Sequence, residues 1–149
     1  MNQLALFNTT IPKEVKRKAE KLMSRYEILD AIIESRKLDL EPKLTQSPEP
    51  SESQRGNQFY SETEKLALIE MELEEYVRVK RKLTLVYDRL KPIQKQIWEE
   101  RYIMGRRDVD LYNDLNITDK AYYRLKREMV AEVAEVLGLM KTWENKAVI

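Results

Sequence analysis

Cysteine and histidine are both absent from this chain of 149 residues. Without cysteine there is no disulfide and no thiolate ligand. Without histidine as well, the usual Cys/His zinc sites and imidazole-based catalysis are excluded. Glycine is scarce, at three residues, whereas Ala, Leu, Glu, Lys and Arg are frequent, which argues for helix over strand. No apolar run is long enough to cross a membrane, and no signal-peptide pattern opens the chain. The expectation is therefore a soluble, cytoplasmic protein with no membrane partner. Net charge is +1, so the overall balance points to no partner of either sign.

Charge is present in quantity but is distributed unevenly. Residues 13–25 hold six Lys/Arg against two Glu, and residues 62–75 hold one Lys against six Glu. Residues 91–107 hold five Lys/Arg against two Glu, and residues 116–127 four against one Asp. Local basic segments in a neutral chain suit nucleic acid, although any one of them also reads as a solvated helix face. The acidic residues Glu70, Glu72, Glu74 and Glu75 scatter around a helix, so they form a solvated face and not a paired-carboxylate or metal site. No enzyme activity, cofactor or metal is expected.

Hydrophobic spacing predicts an all-α fold. Ala19, Leu22, Tyr26, Leu29 and Ile33 recur at steps of three and four, one face of a helix over about 13–38 that Pro12 can open. Residues 41–58 carry three prolines, three serines and little that is apolar, which reads as a linker. Ser61 with Glu64 reads as a capping box that starts a long helix to about Leu90. Its stripe is Leu66, Ile69, Leu73, Tyr76, Lys80, Leu83, Tyr87 and Leu90, with heptad spacing broken by Lys80. Two striped helices can pair as an antiparallel hairpin or between chains, and a homodimer is the reading preferred. The expected divisions are an N-terminal helical segment (1–40), a flexible linker (41–60), a long coiled-coil-like helix (61–91), a helix-turn-helix domain (92–140) and a tail (141–149).

The last domain carries the functional signal. Pro92 restarts the helix, which runs to about 104 with Ile93, Ile97, Trp98, Tyr102 and Ile103 inward, and Gly105 breaks it. A short helix over about 107–115 follows, then a corner at Asn116, Ile117 and Thr118, then a helix from Asp119 to about Leu137 that Gly138 stops. Two helices around a tight corner make a helix-turn-helix. Thr118 is placed to cap the second helix and Asp119 to suit its dipole. Tyr122, Leu125, Met129, Val133, Val136 and Leu137 form the expected buried face. Lys120, Tyr123, Arg124 and Arg127 lie on another, where a helix entering the major groove presents its first turns. Lys and Arg donate to guanine O6 and N7, and Tyr to phosphate. The candidate DNA-binding set is Arg106, Arg107, Thr118, Asp119, Lys120, Tyr123, Arg124, Lys126 and Arg127, with Arg106 and Arg107 as phosphate contacts.

The stretch "LKPIQKQIWEERYIMGRRDVDLYNDLNITDKAYYRLKREMVAEVAEVLG" resembles region 4 of bacterial sigma factors. It is more similar still to phage transcriptional regulators of the ArpU/RinA type. The matching features are Arg101-Tyr102 ending an aromatic-rich helix, Gly105, the short helix 107–115, the "NIT" corner, and Tyr123-Arg124 with Lys126. "GNQFYSETEKLAL" is similar to the stretch before the long helix in that family, so the resemblance covers about residues 55–138. Tyr112 stands where sigma-like patterns place a small residue, and Glu100 where an apolar one is common. The resemblance implies an activator of phage late genes, for packaging or lysis, acting at a promoter with host RNA polymerase in the bacterial cytoplasm. Residues 1–90 supply too few helices for a full sigma factor with a promoter-melting domain. Two other readings compete. One is a DNA-packaging protein similar to small terminase subunits, and the other a helical structural protein that binds no DNA.

Overall fold

Helix follows from the composition at almost every described position. The structure, a computed structural model, describes residues 11–41 and 52–140, with the backbone alone over 52–61. Helices α1 (Lys13–Ser24), α2 (Tyr26–Leu40), α3 (Glu52–Arg89), α4 (Pro92–Ile97), α5 (Asp108–Asp114) and α6 (Asp119–Val136) account for most of it, and α4 runs on into a π-helical stretch, Trp98–Ile103. No strand occurs among the described residues. Residues 1–10, half of the expected linker (42–51) and the tail (141–149) lie outside them.

Two boundaries differ from the sequence reading. The single helix expected over 13–38 is interrupted at Arg25 (φ −95°, ψ 3°), whose N–H bonds the Leu22 carbonyl at 3.1 Å. A residue with ψ near zero tightens the turn without ending the run. The long helix begins at Glu52 rather than at Ser61, so residues 52–60 of the expected linker are helical and residue 61 is internal to α3. After Pro50 no proline occurs until Pro92, so nothing in the backbone forbids helix there. The Ser61 side chain, and with it the proposed capping box, lies outside the described residues.

The chain divides into two units, Met1–Glu27 with Arg81–Ile149, and Ile28–Lys80. In the second, α2 and α3 run antiparallel. Lys80 Nζ donates to Asp30 at 2.6 Å and Arg36 Nε to Glu72 at 3.0 Å, while the Arg36 guanidinium lies over the Tyr76 ring. These pairs step in opposite directions along the two helices, so within the chain the stripes pair as a hairpin. Lys80, the polar intrusion in the heptad pattern, is held by the Asp30 carboxylate. Leu29 and Ile33 are buried, whereas Leu66, at the far end of the expected stripe, is 42% exposed.

The first unit has the larger core. Val15, Ala19 and Met23 of α1 are buried, as are Leu83, Val86 and Leu90 at the end of α3, Ile97, Trp98 and Tyr102, Leu111 of α5, and Tyr122, Met129, Val130 and Val133 of α6. Helix α1 packs on α6 and on the π-helical stretch. The Trp98 indole N–H donates to the Met23 carbonyl at 3.0 Å, satisfying one of the acceptors that α1 leaves open at its C-terminus. Tyr26, Tyr87 and Trp98 form a ring cluster with centroids 5.3–5.7 Å apart. The Tyr87 hydroxyl donates to Glu99, and that bond, with burial, pushes its pKa up to about 12.

The restart at Pro92 has a physical basis. Proline occupies the first helical position, where no N–H is needed. The buried Gln94 accepts from the Lys91 N–H at 3.2 Å and donates to the Leu125 carbonyl of α6 at 3.1 Å. The π-helical stretch carries no sequence signal, because six residues are too few to separate i→i+4 from i→i+5 bonding by side-chain spacing. It ends at Ile103, and Gly105, with φ +76°, turns the chain so that the Arg106 N–H reaches the Glu100 carbonyl at 2.9 Å.

Candidate nucleic-acid interface

The corner between α5 and α6 is built by backbone bonds within six residues. Asn116 has φ +58°, the left-handed conformation that asparagine tolerates better than other non-glycine residues. The Asn116 N–H bonds the Asn113 carbonyl and the Ile117 N–H the Tyr112 carbonyl, each at 3.1 Å. This is a Schellman ending, with Asn in the place glycine most often takes. Ile117 is half-buried. The Thr118 hydroxyl then accepts from the Ala121 N–H at 3.1 Å and caps α6. Thr118→Ala should cost about 1 kcal/mol of stability, read as a lower urea midpoint at unchanged m-value. A midpoint equal to that of the parent chain would show that the cap is dispensable.

Helix α6 is held to α5 by one carboxylate. Asp108 accepts from the Tyr122 hydroxyl at 2.6 Å, from Arg101 Nε at 3.1 Å and from Lys126 Nζ at 3.0 Å. Burial alone raises the Asp108 pKa. The hydrogen bonds from Tyr122 and Lys126 and the positive charges of Lys126 and Arg101 outweigh it, so the carboxyl sits below its ordinary range. Burial first, and then the bond to Asp108, push the Tyr122 hydroxyl far upward. Tyr102 is likewise held protonated by burial and by its bond to Glu20 of α1. Asp108 was not among the expected site residues. Its partners lie seven, fourteen and eighteen residues away, beyond any local motif.

Tyr112, Tyr122 and Tyr123 cluster at the corner, with ring centroids 5.2–6.3 Å apart. Tyr112, large where a small residue was the pattern, is thus half-buried in an aromatic group. Glu100, polar where an apolar residue was the pattern, accepts from Gln96 and from Arg106.

The structure sorts the nine candidate residues into three groups. Lys120, Arg124 and Arg127 are exposed, and no ion pair or side-chain hydrogen bond engages them. Tyr123 is 39% exposed beside them. At about 100° per residue these four fall within roughly a 100° arc of α6.

Thr118 and Asp119 serve the helix end. Thr118 is the cap, and the Asp119 carboxylate accepts from the Lys120 N–H at 2.7 Å. Both are exposed.

Of the remaining three, Lys126 and Arg106 are engaged by carboxylates from elsewhere in the fold, and Arg107 is held only by an exposed local pair. Lys126 is 8% exposed and bound to Asp108. Its position turns it toward Tyr122 and Met129, so it anchors α6 and does not face solvent. Arg106 is held between Asp114 and Glu100, and their hydrogen bonds raise its pKa. Two carboxylates already neutralise it, so it is no open phosphate ligand. Arg107 bonds Asp110 through Nε at 3.0 Å and Nη2 at 3.3 Å. That pair is exposed and three residues apart, a class worth little in water, so a phosphate can compete for this guanidinium.

No group of three or more Asp or Glu able to hold a metal occurs among the described residues, and none of their helices is long and apolar enough to cross a membrane. Comparison with protein-family models, with curated proteins and with solved structures finds no match.

Proposed function

We propose that this chain is a sequence-specific DNA-binding transcriptional regulator whose recognition helix is α6. The observation that carries the reading is the set Lys120, Arg124 and Arg127. These cations are exposed and unpaired, on the first turns of a helix whose opposite face buries Tyr122, Met129 and Val133. Unpaired cations there donate to base edges and phosphates without first breaking an internal ion pair. Anchoring by Asp108 and Lys126 fixes the helix before DNA arrives, which limits the ordering cost of binding. The resemblance to sigma region 4 and to ArpU/RinA-type regulators adds the finer reading, an activator of phage late genes that works with host RNA polymerase.

A nuclease footprint of the chain on DNA from its own genetic neighbourhood tests this. A discrete protected site is expected. Arg124→Ala should weaken binding to that site by about 1–3 kcal/mol, roughly 5- to 150-fold, if Arg124 reads a base. A folded Arg124→Ala protein with an unaltered footprint would remove Arg124 from the recognition set. Uniform coverage with no protected site would overturn sequence-specific binding.

A further inference from the structure

Helix α1 carries its charge in a regular line. Lys13, Arg17 and Lys21, with Arg25 just past the last residue of α1, follow one another at four-residue steps on one side of the helix. Val15, Ala19 and Met23 form a second line, offset by two residues and so about 200° round the axis. That second line is buried, at 3%, 0% and 0% exposure. The basic line therefore points away from the core, and all four of its side chains are exposed and without an ion pair or hydrogen bond. Lys16 and Lys18 flank it and are equally unengaged.

Carboxylates are not in short supply, since 26 acidic residues face 27 basic ones. The fold uses them elsewhere, on Arg36, Arg78, Lys80, Arg101, Arg106, Arg107 and Lys126. Charge also separates between the units. Residues 11–27 and 81–140 hold 18 Lys/Arg against 13 Asp/Glu, whereas residues 28–41 and 52–80 hold 6 against 11.

The chemistry of the outer side of α1 narrows its partner. Besides the four cations it presents Lys16, Lys18, Glu14 and Ser24, with Glu20 half-buried and bonded to the Tyr102 hydroxyl, and no apolar or aromatic residue is exposed there. A protein interface needs a desolvated apolar centre, which is lacking here. A helix lying in a lipid surface inserts its apolar face, and the apolar face of α1 is already buried in the fold. Point charges on flexible stems without an apolar neighbour suit phosphates. The line from Lys13 to Arg25 is about 18 Å long, and one DNA strand carries a phosphate about every 3.4 Å of helix axis, so the line matches roughly five nucleotides.

We infer that α1 is a second, sequence-independent DNA contact that grips the phosphate backbone while α6 reads bases. This rests on the DNA-binding reading of α6. Because α1 packs on α6, the two basic surfaces belong to one packed core and engage the duplex together.

The salt dependence of binding tests it. Anisotropy of a labelled mixed-sequence duplex would be followed over about 50 to 200 mM salt, with the full chain. Three proteins are compared: the parent chain, Lys13→Gln/Arg17→Gln/Lys21→Gln, and Lys120→Gln/Arg124→Gln. The triple variant should lower the slope of log affinity against log salt by roughly 2–3, and Lys21→Gln alone by about 0.9. Lys21→Gln keeps a good helix former at an exposed site, so it reports even if the triple variant loses helicity. Slopes equal to the parent's, alongside weakened binding by the α6 variant, overturn the α1 contact and leave the α6 reading standing. No binding of the parent chain at the lowest salt overturns both. Binding of the parent to phosphatidylserine vesicles in preference to the duplex, lost on the α1 changes, overturns the assignment to DNA.

Discussion

Trp98→Ala should destabilise the first unit by about 3–5 kcal/mol, the largest effect expected of any single change. Trp98 is fully buried and touches two other rings, Tyr26 at 5.3 Å and Tyr87 at 5.5 Å between centroids. Truncation removes that contact area and leaves a cavity beside Tyr26 at the start of α2 and Tyr87 of α3. It also strands the Met23 carbonyl, which accepts the indole N–H at 3.0 Å. Domains of this size are stable by about 5–15 kcal/mol, so the variant should be close to unfolding. Trp98→Phe separates the two contributions. It keeps an aromatic ring but abandons the hydrogen bond, and should cost about 1–3 kcal/mol. Urea unfolding followed by circular dichroism measures both. A Trp98→Ala midpoint indistinguishable from the parent's would mean that the ring cluster is not the centre of this core.

The second large effect belongs to Asp108. Asp108→Ala should cost about 3 kcal/mol, the lower end for breaking a buried ion pair, because the Asp108 side chain retains 21% exposure. The cost comes from what is left behind. Lys126 would remain with its side chain 10% exposed and without its carboxylate, and Tyr122 and Arg101 would lose their acceptor. Lys126→Met removes the cation and keeps the volume. Asp108 then still holds Tyr122 and Arg101, so that change should cost under about 1 kcal/mol. Adding Lys126→Met to Asp108→Ala should recover part of the loss, a non-additivity that a double-mutant cycle measures. Strict additivity would show that the two side chains are not coupled. Lys126→Met should also leave the salt dependence of DNA binding unchanged, which separates an anchoring residue from a phosphate contact.

The same carboxylate sets an acid limit. Its pKa is lower in the folded protein than in the unfolded chain, where it sits near 3.9. The stabilisation is therefore complete above about pH 4 and is lost as pH falls through the folded value. In Asp108→Ala the acid limb of the stability curve should be shallower than in the parent.

The corner was legible in detail. Asn116, Thr118, Gly105 and Gly138 each act on backbone groups within a few residues of themselves, and such bonds are encoded by contiguous residue types. The inward positions of α6 were legible in part. Tyr122, Met129 and Val133 are buried as their spacing predicts, but so is Lys126, which no hydropathy pattern assigns to a core. Arg106 was read as a phosphate ligand from its type and place, yet Glu100 and Asp114 hold it from the preceding helix and from α5. Lys80 was legible as a polar intrusion in the heptad pattern, but not its partner Asp30, fifty residues away.

By itself the sequence determined that the chain is helical, where Pro92 and Gly105 break it, and how the chain turns between α5 and α6. Those features depend on hydrogen bonds that close within a turn or two, on fixed φ values and on apolar spacing. Only the tertiary structure decided which of the many cations remain free. The state of a charge depends on whether a distant carboxylate is brought within reach, and chain folding alone brings Asp108 to Lys126 and Asp30 to Lys80 while leaving α1 and the start of α6 bare.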